Sequence, residues 1–363
     1  MKRIIVSVTN DLVTDQRVQK VCDSLQQNGY DIYLIGRKRP ESDQVRLPFK
    51  TFRYKLLFDK GFWFYAEYNL RLFWKLLFIQ GDILLANDLD TLLANYLASK
   101  LSRKKLVYDS HELFTEVPEL AGRPLVRHCW LMLEKKLLPG LSHCYTVSPS
   151  IVRHYKEQYG VAFTLIRNFP TQKKQSKKGS FPFKIDNKKL ILYQGALNKG
   201  RGLELMLDTL CLLKDTLFII IGSGDIEKSL QKKARALNLG EKVVFLGAVP
   251  PTALQELTPL ADLGISLEAD CGLNYRYALP NKLFDYIQAR VPVLVADLPE
   301  MKHMVLTHQV GEIAFDRNPQ ALAKQIENML NKRATYTTAL NTAASRLTWE
   351  NESQQLIELF RSL

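Results

Sequence analysis

Residues 278–296 read "ALPNKLFDYIQARVPVLVA", and this stretch decides the fold. Pro280 opens a helix whose apolar residues recur at helical spacing, and the run "VPVLVA" that follows is a buried strand. A helix that leads at once into a buried strand is typical of a parallel sheet covered by helices. Packing does not require Lys282 and Asp285 in the leading turns of this helix, so their presence indicates a ligand.

The same alternation of apolar runs and amphipathic segments fills both halves of the chain. Strand candidates in the first half are "RIIVSV", "DIYLIG", "DILLAN", "KLVYDS", "CYTVS" and "FTLIRN". Those in the second half are "KLILYQGA", "TLFIIIGSG", "KVVFLG", "LGISLE", "VPVLVA" and "GEIAF". We predict an α/β protein with two Rossmann-like, doubly wound domains, whose ligand-binding carboxyl edges face each other across a cleft.

The length of 363 residues suits two domains of ordinary size. We predict an N-terminal domain over residues 1–168, a lysine-rich linker at 169–188 and a C-terminal domain over 189–345. A final helix at 346–363 is expected to pack back toward the N-terminal domain. The densest basic run, residues 173–189, coincides with the linker, and a solvated linker is favoured there over a binding patch.

Composition and the N-terminal sequence indicate the cellular compartment. No uninterrupted apolar run reaches the length of about 18 residues that a spanning helix needs. The N-terminus turns polar after a first strand, which is too short for a signal peptide. We therefore expect a cytoplasmic protein. The net charge of +13 would favour nucleic acid, an anionic membrane surface or phosphorylated substrates, and charge alone does not choose among them.

Metal-binding patterns are weak. The five cysteines are scattered without a CxxC pair, and we predict free, mostly packed thiols in a reducing compartment. The six histidines do not cluster at zinc-ligand spacing. Asp88 and Asp90 form an Asp-x-Asp pair that could hold a divalent cation, but Asp is a routine helix cap at a strand–helix junction. We predict no metal site.

Three loops at one edge of the second predicted sheet are suited to an anion. "QGALNKGRGLE" combines glycines with two cations at a helix start, where backbone N–H groups favour phosphate. "GSGD" at 222–225 resembles a nucleotide loop, and at the third loop Asp285 could accept hydrogen bonds from a ribose. The structural alternative is that Asp285 pairs with Lys282. The predicted donor-site residues are Gly195, Lys199, Arg201, Gly222, Gly224, Asn281, Lys282 and Asp285.

Polar residues also end strands of the first predicted sheet. "YDSHEL" places Asp109, His111 and Glu112 just past a strand, and histidine suits proton or hydroxyl contacts there. The alternative is that Asp109 or Ser110 caps the next helix and His111 is a surface residue. Arg17 lies in the first turn of a helix, where a cation opposes the dipole, and we predict that it contacts a ligand anion.

Residues 52–78 interleave aromatic and basic side chains, among them Trp63, Arg71 and Lys75. This composition suits an interfacial surface. A core helix with basic flanks would look the same. Base stacking on nucleic acid is the third option, but no known binding module accompanies it. We expect peripheral contact with an anionic membrane at its inner face, and no nucleic acid partner.

Taken together, the chain resembles a retaining glycosyltransferase of family 4, which has the GT-B fold. The resemblance runs through "TDQRV", "YDSHEL", "TVSPSI", "IRNFP", "YQGALNKGRGLE", "GSGD", "FLG" and "PNKLFDYIQARVPV" and covers essentially the full length. It implies a nucleotide-diphosphate sugar as donor and no metal. It also implies that Arg201 binds the diphosphate, that Asp285 holds the ribose and that His111 contacts the donor sugar. Further sugar or acceptor contacts are expected from Arg17, Asp109, Glu112, Asn274 and Tyr275.

The chain departs from the family pattern at three places. Tyr277 stands where many members carry the first of two paired glutamates, and Glu268 lies upstream of that register. Ala196 replaces an arginine that many members carry after the first glycine of the loop. The N-terminal glycine-rich loop of many members is absent.

The resemblance predicts a retaining hexosyltransferase that acts on a glycan or lipid-linked acceptor in cell-surface polysaccharide biosynthesis. His111, Arg201 and Lys282 are the expected catalytic residues, since both cations can stabilise the leaving diphosphate. Members are thought to use front-face attack, in which the diphosphate helps to deprotonate the acceptor, so no carboxylate pair is needed. The alternatives are a nucleotide-sugar epimerase of similar fold and a non-catalytic nucleotide-sugar-binding partner of another transferase.

Overall fold

The computed structural model describes residues 1–13, 15–40, 42–120, 122–172 and 179–363. The chain divides into two compact units. The first comprises Met1–Asn168 with Glu352–Leu363, and the second comprises Phe169–Asn351. The described residues of the predicted linker therefore belong to the second unit, and residues 173–178 of the basic run lie outside the described residues.

The first unit contains a seven-stranded parallel sheet in the order β3-β2-β1-β4-β5-β6-β7. Its strands are β1 (Arg3–Asp11), β2 (Asp31–Arg37), β3 (Lys50–Tyr54), β4 (Ile83–Asn87), β5 (Lys105–Ser110), β6 (Cys144–Thr146) and β7 (Thr164–Leu165). The central strand β4 is buried throughout, as its apolar run predicts. The sequence does not predict β3, because an edge strand needs no continuous apolar run and this one is mostly half-exposed.

The α-helices that the structure describes in the first unit before Asn168 alternate with these strands. They are α1 (Gln16–Gln27), α2 (Gly61–Phe78), α3 (Leu89–Ser102), α4 (Pro124–Leu137) and α5 (Pro149–Tyr159). Asp15 caps α1, since its carboxylate accepts a hydrogen bond from the backbone N–H of Val18. The register pairs Asn87 of β4 with Asp109 of β5, so the polar residues that end these strands lie side by side.

The second unit contains a six-stranded parallel sheet in the order β10-β9-β8-β11-β12-β13. Its strands are β8 (Lys189–Gln194), β9 (Thr216–Ile221), β10 (Val243–Gly247), β11 (Leu263–Ser266), β12 (Val293–Ala296) and β13 (Gly311–Ala314). Phe169 and Phe181, both from the predicted linker, are buried in its core. A purely solvated linker is therefore wrong for these two residues.

Helices of the second unit cover this sheet. They are α6 (Leu203–Leu210), α7 (Glu227–Ala236), α8 (Pro251–Leu257), α9 (Leu273–Arg276), α10 (Asn281–Gln288), α11 (Pro299–His308), α12 (Pro319–Asn331) and α13 (Thr337–Arg346). α10 and β12 are the helix and strand predicted from residues 278–296. A last helix, α14 (Trp349–Arg361), continues into the part of the chain that belongs to the first unit, where Phe360 is buried.

The prediction of an α/β fold with two Rossmann-like domains is confirmed. The five cysteines are free thiols, of which Cys22 and Cys144 are buried and the other three are exposed, so the expectation that most are packed is wrong. Among the described residues, none of the helices has the length and apolar character required to cross a bilayer.

Candidate functional site

The first two predicted donor loops of the second unit are packed directly on each other. A Cβ atom on Gly222 would lie 1.9 Å from the carbonyl oxygen of Gly195, and one on Gly224 would lie 2.6 Å from backbone atoms of Leu197. Hydrogen bonds join the loops, as the backbone N–H of Leu197 donates to the carbonyl oxygen of Ser223 at 2.9 Å. Close packing of the loops therefore accounts for Gly222 and Gly224, which the sequence assigns to donor binding.

The first loop is also fixed to the segment that follows β11. A Cβ on Gly202 would lie 2.1 Å from the carbonyl oxygen of Leu267, and Gly202 has a φ of +76°, which favours glycine. The hydroxyl of Tyr275 donates to the carbonyl oxygen of Lys199 at 3.0 Å. Tyr275, predicted as a sugar or acceptor contact, is buried and holds this loop, whereas the Lys199 side chain is exposed. Asn274 lies half-buried on α9.

Two predicted catalytic cations meet at a buried carboxylate. The Oε1 atom of Glu268 lies 3.0 Å from Nζ of Lys282 and 3.6 Å from Nη1 of Arg201. Burial alone would raise the pKa of Glu268, but Lys282, a hydrogen bond from Ser266 and Arg201 together lower it, so Glu268 is ionised. Burial lowers the pKa of Lys282, and Glu268 opposes that shift. The cluster thus carries two cations and one carboxylate.

Aromatic rings set the positions of both cations. The Lys282 ammonium lies 3.9 Å from the centre of the Tyr193 ring. A Cβ atom on Gly195 would lie 3.8 Å from the ammonium nitrogen of Lys282. The Arg201 guanidinium carbon lies 5.0 Å from the centre of the Tyr275 ring. The Arg201 side chain is 27% exposed and can meet a ligand, while the Lys282 side chain is buried. The excess positive charge therefore lies beside the loop that begins at Gly195.

Glu268 is the site residue that the sequence-based assignment missed. The family register excludes it, yet it follows β11 directly, and an acid that ends a buried strand at the ligand edge is itself a signal. Its presence also corrects the alternative prediction for Asp285. The ion pair of Lys282 is with Glu268, while Asp285 accepts a hydrogen bond from the side-chain amide of Gln194 at 2.9 Å.

Asp285 and Asn281 lie on α10, the helix of the opening stretch. Asp285 is half-buried and Asn281 is exposed at the helix start. The amide that binds Asp285 is oriented in turn, since Oε1 of Gln194 accepts a hydrogen bond from Thr258 at 2.8 Å. Asp285 is therefore held at the end of β8 with a fixed orientation, beside the loop that carries the cations.

In the first unit, Arg17 meets a protein carboxylate. Its Nε and Nη2 atoms donate to the two carboxylate oxygens of Asp109 at 3.2 and 3.0 Å, and its guanidinium also donates to the carbonyl oxygen of Ile166. The side chains of Arg17 and Asp109 are 6% and 0% exposed. Arg17 therefore has a protein carboxylate as its anion, and the sugar or acceptor contacts expected from Arg17 and Asp109 stay predictions.

His111 lies between two carboxylates. Its Nε2 atom is 2.9 Å from Oδ2 of Asp109, its Nδ1 atom is 3.2 Å from Oδ2 of Asp88, and its backbone N–H donates to Oδ1 of Asp88 at 2.9 Å. Burial alone would lower the pKa of His111, but Asp109 and Asp88 raise it well above its usual value. His111 is thus an imidazolium, which acts as a donor and a fixed charge. It is not the surface residue of the alternative prediction, and Asp109 does not serve as a cap.

Asp88 and Asp90 also differ from their predicted role as helix caps. Asp88 stands at the start of α3 but makes no side-chain cap hydrogen bond, and it has a φ of +58°. Asp90 is buried, accepts a hydrogen bond from Thr9 at 2.5 Å, and has its pKa raised to about 8 by burial and by Asp88. Glu112 is exposed. In the described part of the chain, no three His, Cys, Asp or Glu side chains form a group that could hold a metal ion.

Comparison with known proteins identifies the family. The family model "Glycosyl transferases group 1" matches residues 174–362, and "Glycosyltransferase Family 4" matches residues 15–170. No curated protein matches the sequence.

Solved structures share the fold at low sequence identity. Sucrose-phosphate synthase from Thermosynechococcus elongatus superimposes with a TM-score of 0.84 at 16% identity, over 100% of this chain and 99% of that one. A glycosyltransferase from Rickettsia africae gives a TM-score of 0.75 at 14% identity, over 99% and 98%. Anabaena HepE, solved in complex with UDP and glucose, gives 0.73 at 17% identity, over 100% of both chains. The chain belongs to the group 1 glycosyltransferases, within family 4, and has the GT-B fold.

Proposed function

We propose that the protein transfers a hexose, with retention of configuration, from a nucleotide-diphosphate sugar to a glycan or lipid-linked acceptor. We further propose that it needs no metal and serves cell-surface polysaccharide biosynthesis. The observation that carries the proposal is the cluster of Lys282, Arg201 and Glu268, where two cations share one buried carboxylate beside a glycine loop. The UDP and glucose bound by Anabaena HepE support a nucleotide-sugar donor.

The cluster suits a leaving diphosphate. Departure of the nucleotide builds negative charge on the bridging oxygens, and preorganised cations stabilise that charge most when water is excluded. Lys282 is already buried and fixed by Glu268 and by the Tyr193 ring, so it needs no reorganisation when the charge develops. Arg201 is the more accessible cation, and we propose that it contacts the diphosphate directly. Two cations can then do the electrostatic work that a divalent metal does in other transferases.

The proposed roles of His111 and Asp285 follow from their contacts. As an imidazolium whose two ring nitrogens face Asp109 and Asp88, His111 is a poor proton acceptor, so we propose that it acts on the donor sugar through its positive charge. Deprotonation of the acceptor would then fall to the departing diphosphate. Asp285, oriented by Gln194, is proposed to accept hydrogen bonds from the ribose.

A thermal-shift screen with UDP, GDP, ADP and their sugar conjugates tests donor binding. A ligand that binds only the folded state at 100 times its Kd stabilises it by about 2.7 kcal/mol. We expect one nucleotide class to raise Tm, and Arg201→Ala and Asp285→Ala to abolish the shift. Arg235→Ala on α7 and Glu327→Ala on α12 remove exposed charges elsewhere in the second unit and should keep it. No shift with any nucleotide would contradict donor binding by this cluster.

Product analysis separates the remaining alternatives. An epimerase changes the donor sugar when it is incubated with donor alone, whereas a transferase needs an acceptor. The anomeric configuration of the new glycosidic bond, read by NMR and compared with that of the donor, distinguishes retention from inversion. Activity that persists after exhaustive chelation would support the absence of a metal, and activity restored only by a divalent cation would contradict it.

The cellular location is part of the same proposal. We propose that the protein works in the cytoplasm, peripherally at the inner face of the membrane. The support for this location comes from α2 of the first unit and is independent of the donor cluster.

A further inference from the structure

Helix α2 is apolar on two opposite faces. One face packs on the sheet through Phe64, Tyr68, Leu72 and Leu76, which are all buried. A core helix normally turns polar residues to the other side. Here the other side exposes large apolar residues, namely Phe62, Trp63, Leu70, Trp74 and Phe78. The prediction of a core helix in residues 52–78 is therefore confirmed for one face, and that of an interfacial surface stays a prediction for the other.

Most of the exposed apolar side chains lie along one face of α2. Trp63, Leu70 and Trp74 follow helical spacing and share a face. Trp63 is 62% exposed, Trp74 is 52% exposed and Phe78 is 76% exposed. The Trp74 and Phe78 rings are parallel within 7°, with centres 6.0 Å apart, and Phe58 packs beside Trp63. We call Phe58, Phe62, Trp63, Leu70, Trp74 and Phe78 the α2 strip.

Cations gather at one end of the α2 strip. A shallow cavity of about 510 Å³ is lined by Arg3, Tyr33, Lys50, Trp74, Lys75, Phe78 and Ile79. Arg3 is paired with Asp31 at 2.6 Å, whereas within the described residues neither Lys50 nor Lys75 makes an ion pair. The Lys75 ammonium lies 3.7 Å from the centre of the Phe52 ring, which fixes its position. The cavity therefore joins aromatic rings to two uncompensated ammonium groups.

Two of the basic residues in the 52–78 segment are paired with carboxylates in the structure. Arg53 is turned to Asp11 at 3.4 Å and is mostly buried. Arg71 is paired with Glu67 at 2.7 Å, so it adds no net charge. The Glu67 carboxylate also accepts hydrogen bonds from the backbone N–H groups of Leu57 and Phe58, which hold it in place beside Arg71. The positive charge at the cavity end of the strip comes from Lys50 and Lys75, and Lys55 and Lys60 are exposed just before α2 at its other end.

We propose that the α2 strip docks on an anionic lipid bilayer, with a lipid phosphate held between Lys50 and Lys75. Tryptophans on one helix face, with cations beside them, are the composition that lies in the headgroup region of a bilayer. A free phosphate would satisfy the two lysines and leave the apolar strip in water. A protein partner with an acidic rim is the other occupant that the surface would accept. The proposal concerns the first unit alone and stands whether or not the transfer chemistry above is right.

Vesicle co-sedimentation of the full-length protein tests the proposal. The wild type should pellet with vesicles of phosphatidylcholine mixed with phosphatidylglycerol, and much less with phosphatidylcholine alone. Lys50→Gln/Lys75→Gln should weaken partitioning by roughly 25-fold, because each cation near an anionic surface contributes about fivefold. Trp74→Ser/Phe78→Ser should weaken it by about tenfold or more, because the exposed apolar area is lost. All four positions lie on the surface, so the variants should keep the wild-type Tm.

Matched controls come from the second unit. Lys228→Gln/Lys232→Gln removes two exposed lysines from α7, and Leu306→Ser removes an exposed apolar residue from α11. These variants should partition like the wild type. Vesicles with brominated lipid should quench tryptophan fluorescence in the wild type, and the quenching should fall in Trp63→Phe/Trp74→Phe.

Three outcomes would overturn the proposal. Wild-type partitioning in both α2 variants would show that another surface binds lipid. Loss of a dimer in Trp74→Ser/Phe78→Ser, without lipid binding by the wild type, would assign the strip to a second copy of the chain. Displacement from vesicles by millimolar glycerol phosphate, with no bromine quenching, would reduce the cavity to a site for free phosphate. A nucleotide thermal shift that survives in the α2 variants keeps these results separate from the fate of the proposed function.

Discussion

The polar residues that follow the strands carry a different net charge in the two sheets. In the first unit, Asp88 and Asp109 face His111 and Arg17, while Asp90 keeps its proton at neutral pH, so carboxylates and cations balance. In the second unit, Lys282 and Arg201 share Glu268, so cations outnumber carboxylates. The same architecture therefore builds a neutral cluster in one unit and a cationic cluster in the other. Parallel sheets gather loops at one edge, and the side chains on those loops decide which charge that edge will accept.

The difference in charge indicates that the two clusters have different roles. The carboxylates of the first unit are used internally, because Asp109 is held by Arg17 and both ring nitrogens of His111 face carboxylates. The second unit has a net positive charge and an accessible guanidinium, so it is open to an added anion. A nucleotide diphosphate would balance the charge of the second cluster, whereas the cations of the first cluster already face carboxylates.

Removing the buried cation of the second unit should have the largest effect. Lys282→Met leaves the Glu268 carboxylate buried with Arg201 as its remaining cation, and breaking a buried ion pair costs about 3–5 kcal/mol. We expect a lower free energy of unfolding and no nucleotide-induced shift in Tm. Chemical denaturation and thermal shift measure the two effects.

A double variant separates these two roles of Lys282. Lys282→Met/Glu268→Gln removes the unpaired charge, so stability should return while nucleotide binding stays lost. If binding returned together with stability, Lys282 would be a structural cation only, and the contrast between the two edges would rest on Arg201.

The pH dependence of stability tests whether burial and Asp88 raise the pKa of Asp90 in the first unit. Its pKa rises from 3.8 to about 8 on folding, so the folded state keeps a proton that the unfolded state has lost. Asp90 therefore contributes a loss of stability as pH rises from about 4 to about 8, by at most about 1.4 kcal/mol per pH unit. Asp90→Asn should remove this loss, and the gap between variant and wild type should widen with pH. Denaturation at several pH values measures it, and parallel curves would contradict it.

Asp109 should show the opposite behaviour in the same unit. Burial would raise the pKa of its carboxyl, but Arg17 and His111 lower it from 3.8 to about 2. Its stabilisation is present above pH 3.8 and is lost as pH falls toward 2. The two aspartates thus report on separate pH windows of one experiment. Asp109→Asn should abolish the acidic one, and because Asp109 also raises the pKa of His111, it should lower the pH at which the histidine titrates.

A smaller effect is expected at the joined loops of the second unit. Gly222 and Gly272 both have positive φ values, +140° and +131°, but a Cβ on Gly272 meets no atom within 4 Å. Alanine is strained at either position, so the difference between Gly222→Ala and Gly272→Ala isolates the contact with Gly195. We expect Gly222→Ala to cost about 1–3 kcal/mol more, as overpacking does. Equal denaturation midpoints would show that the loops are free to separate.

The apolar runs made most of the fold predictable, because buried parallel strands are apolar along their whole length. β4 and β12 are examples, with every residue buried. β3 could not be recognised in this way, because this edge strand contains Lys50 and Arg53. Its sequence resembles the mixed basic and aromatic segment that follows it. Residues 52–78 accordingly contain both the end of a strand and a helix.

The site was less predictable, because its contacts join distant parts of the chain. Arg17 was recognised as a cation in need of an anion, but its partner Asp109 lies 92 positions away. Glu268 was set aside because it does not fit the register of a family motif, although three-dimensional proximity to Lys282 and Arg201 is what matters. Gly222 is predicted from the sequence as a donor-site residue, and the structure shows that loop packing also requires glycine there. The sequence alone cannot separate these two reasons.

The smallest change concerns the charge on His111. Asp88→Asn removes one of two facing carboxylates and keeps the shape of the side chain, so the pKa of His111 should fall toward its usual value. A raised histidine pKa contributes stability below pH 6.5, and this stability is lost as pH rises through the folded pKa. The variant should lose it at a lower pH than the wild type. Titration of the His111 ring by NMR measures the shift, with His303, which lies outside this cluster, as the internal reference. Unchanged titration would mean that Asp109 alone holds the imidazolium, and the first edge would then need only one carboxylate to keep its histidine charged.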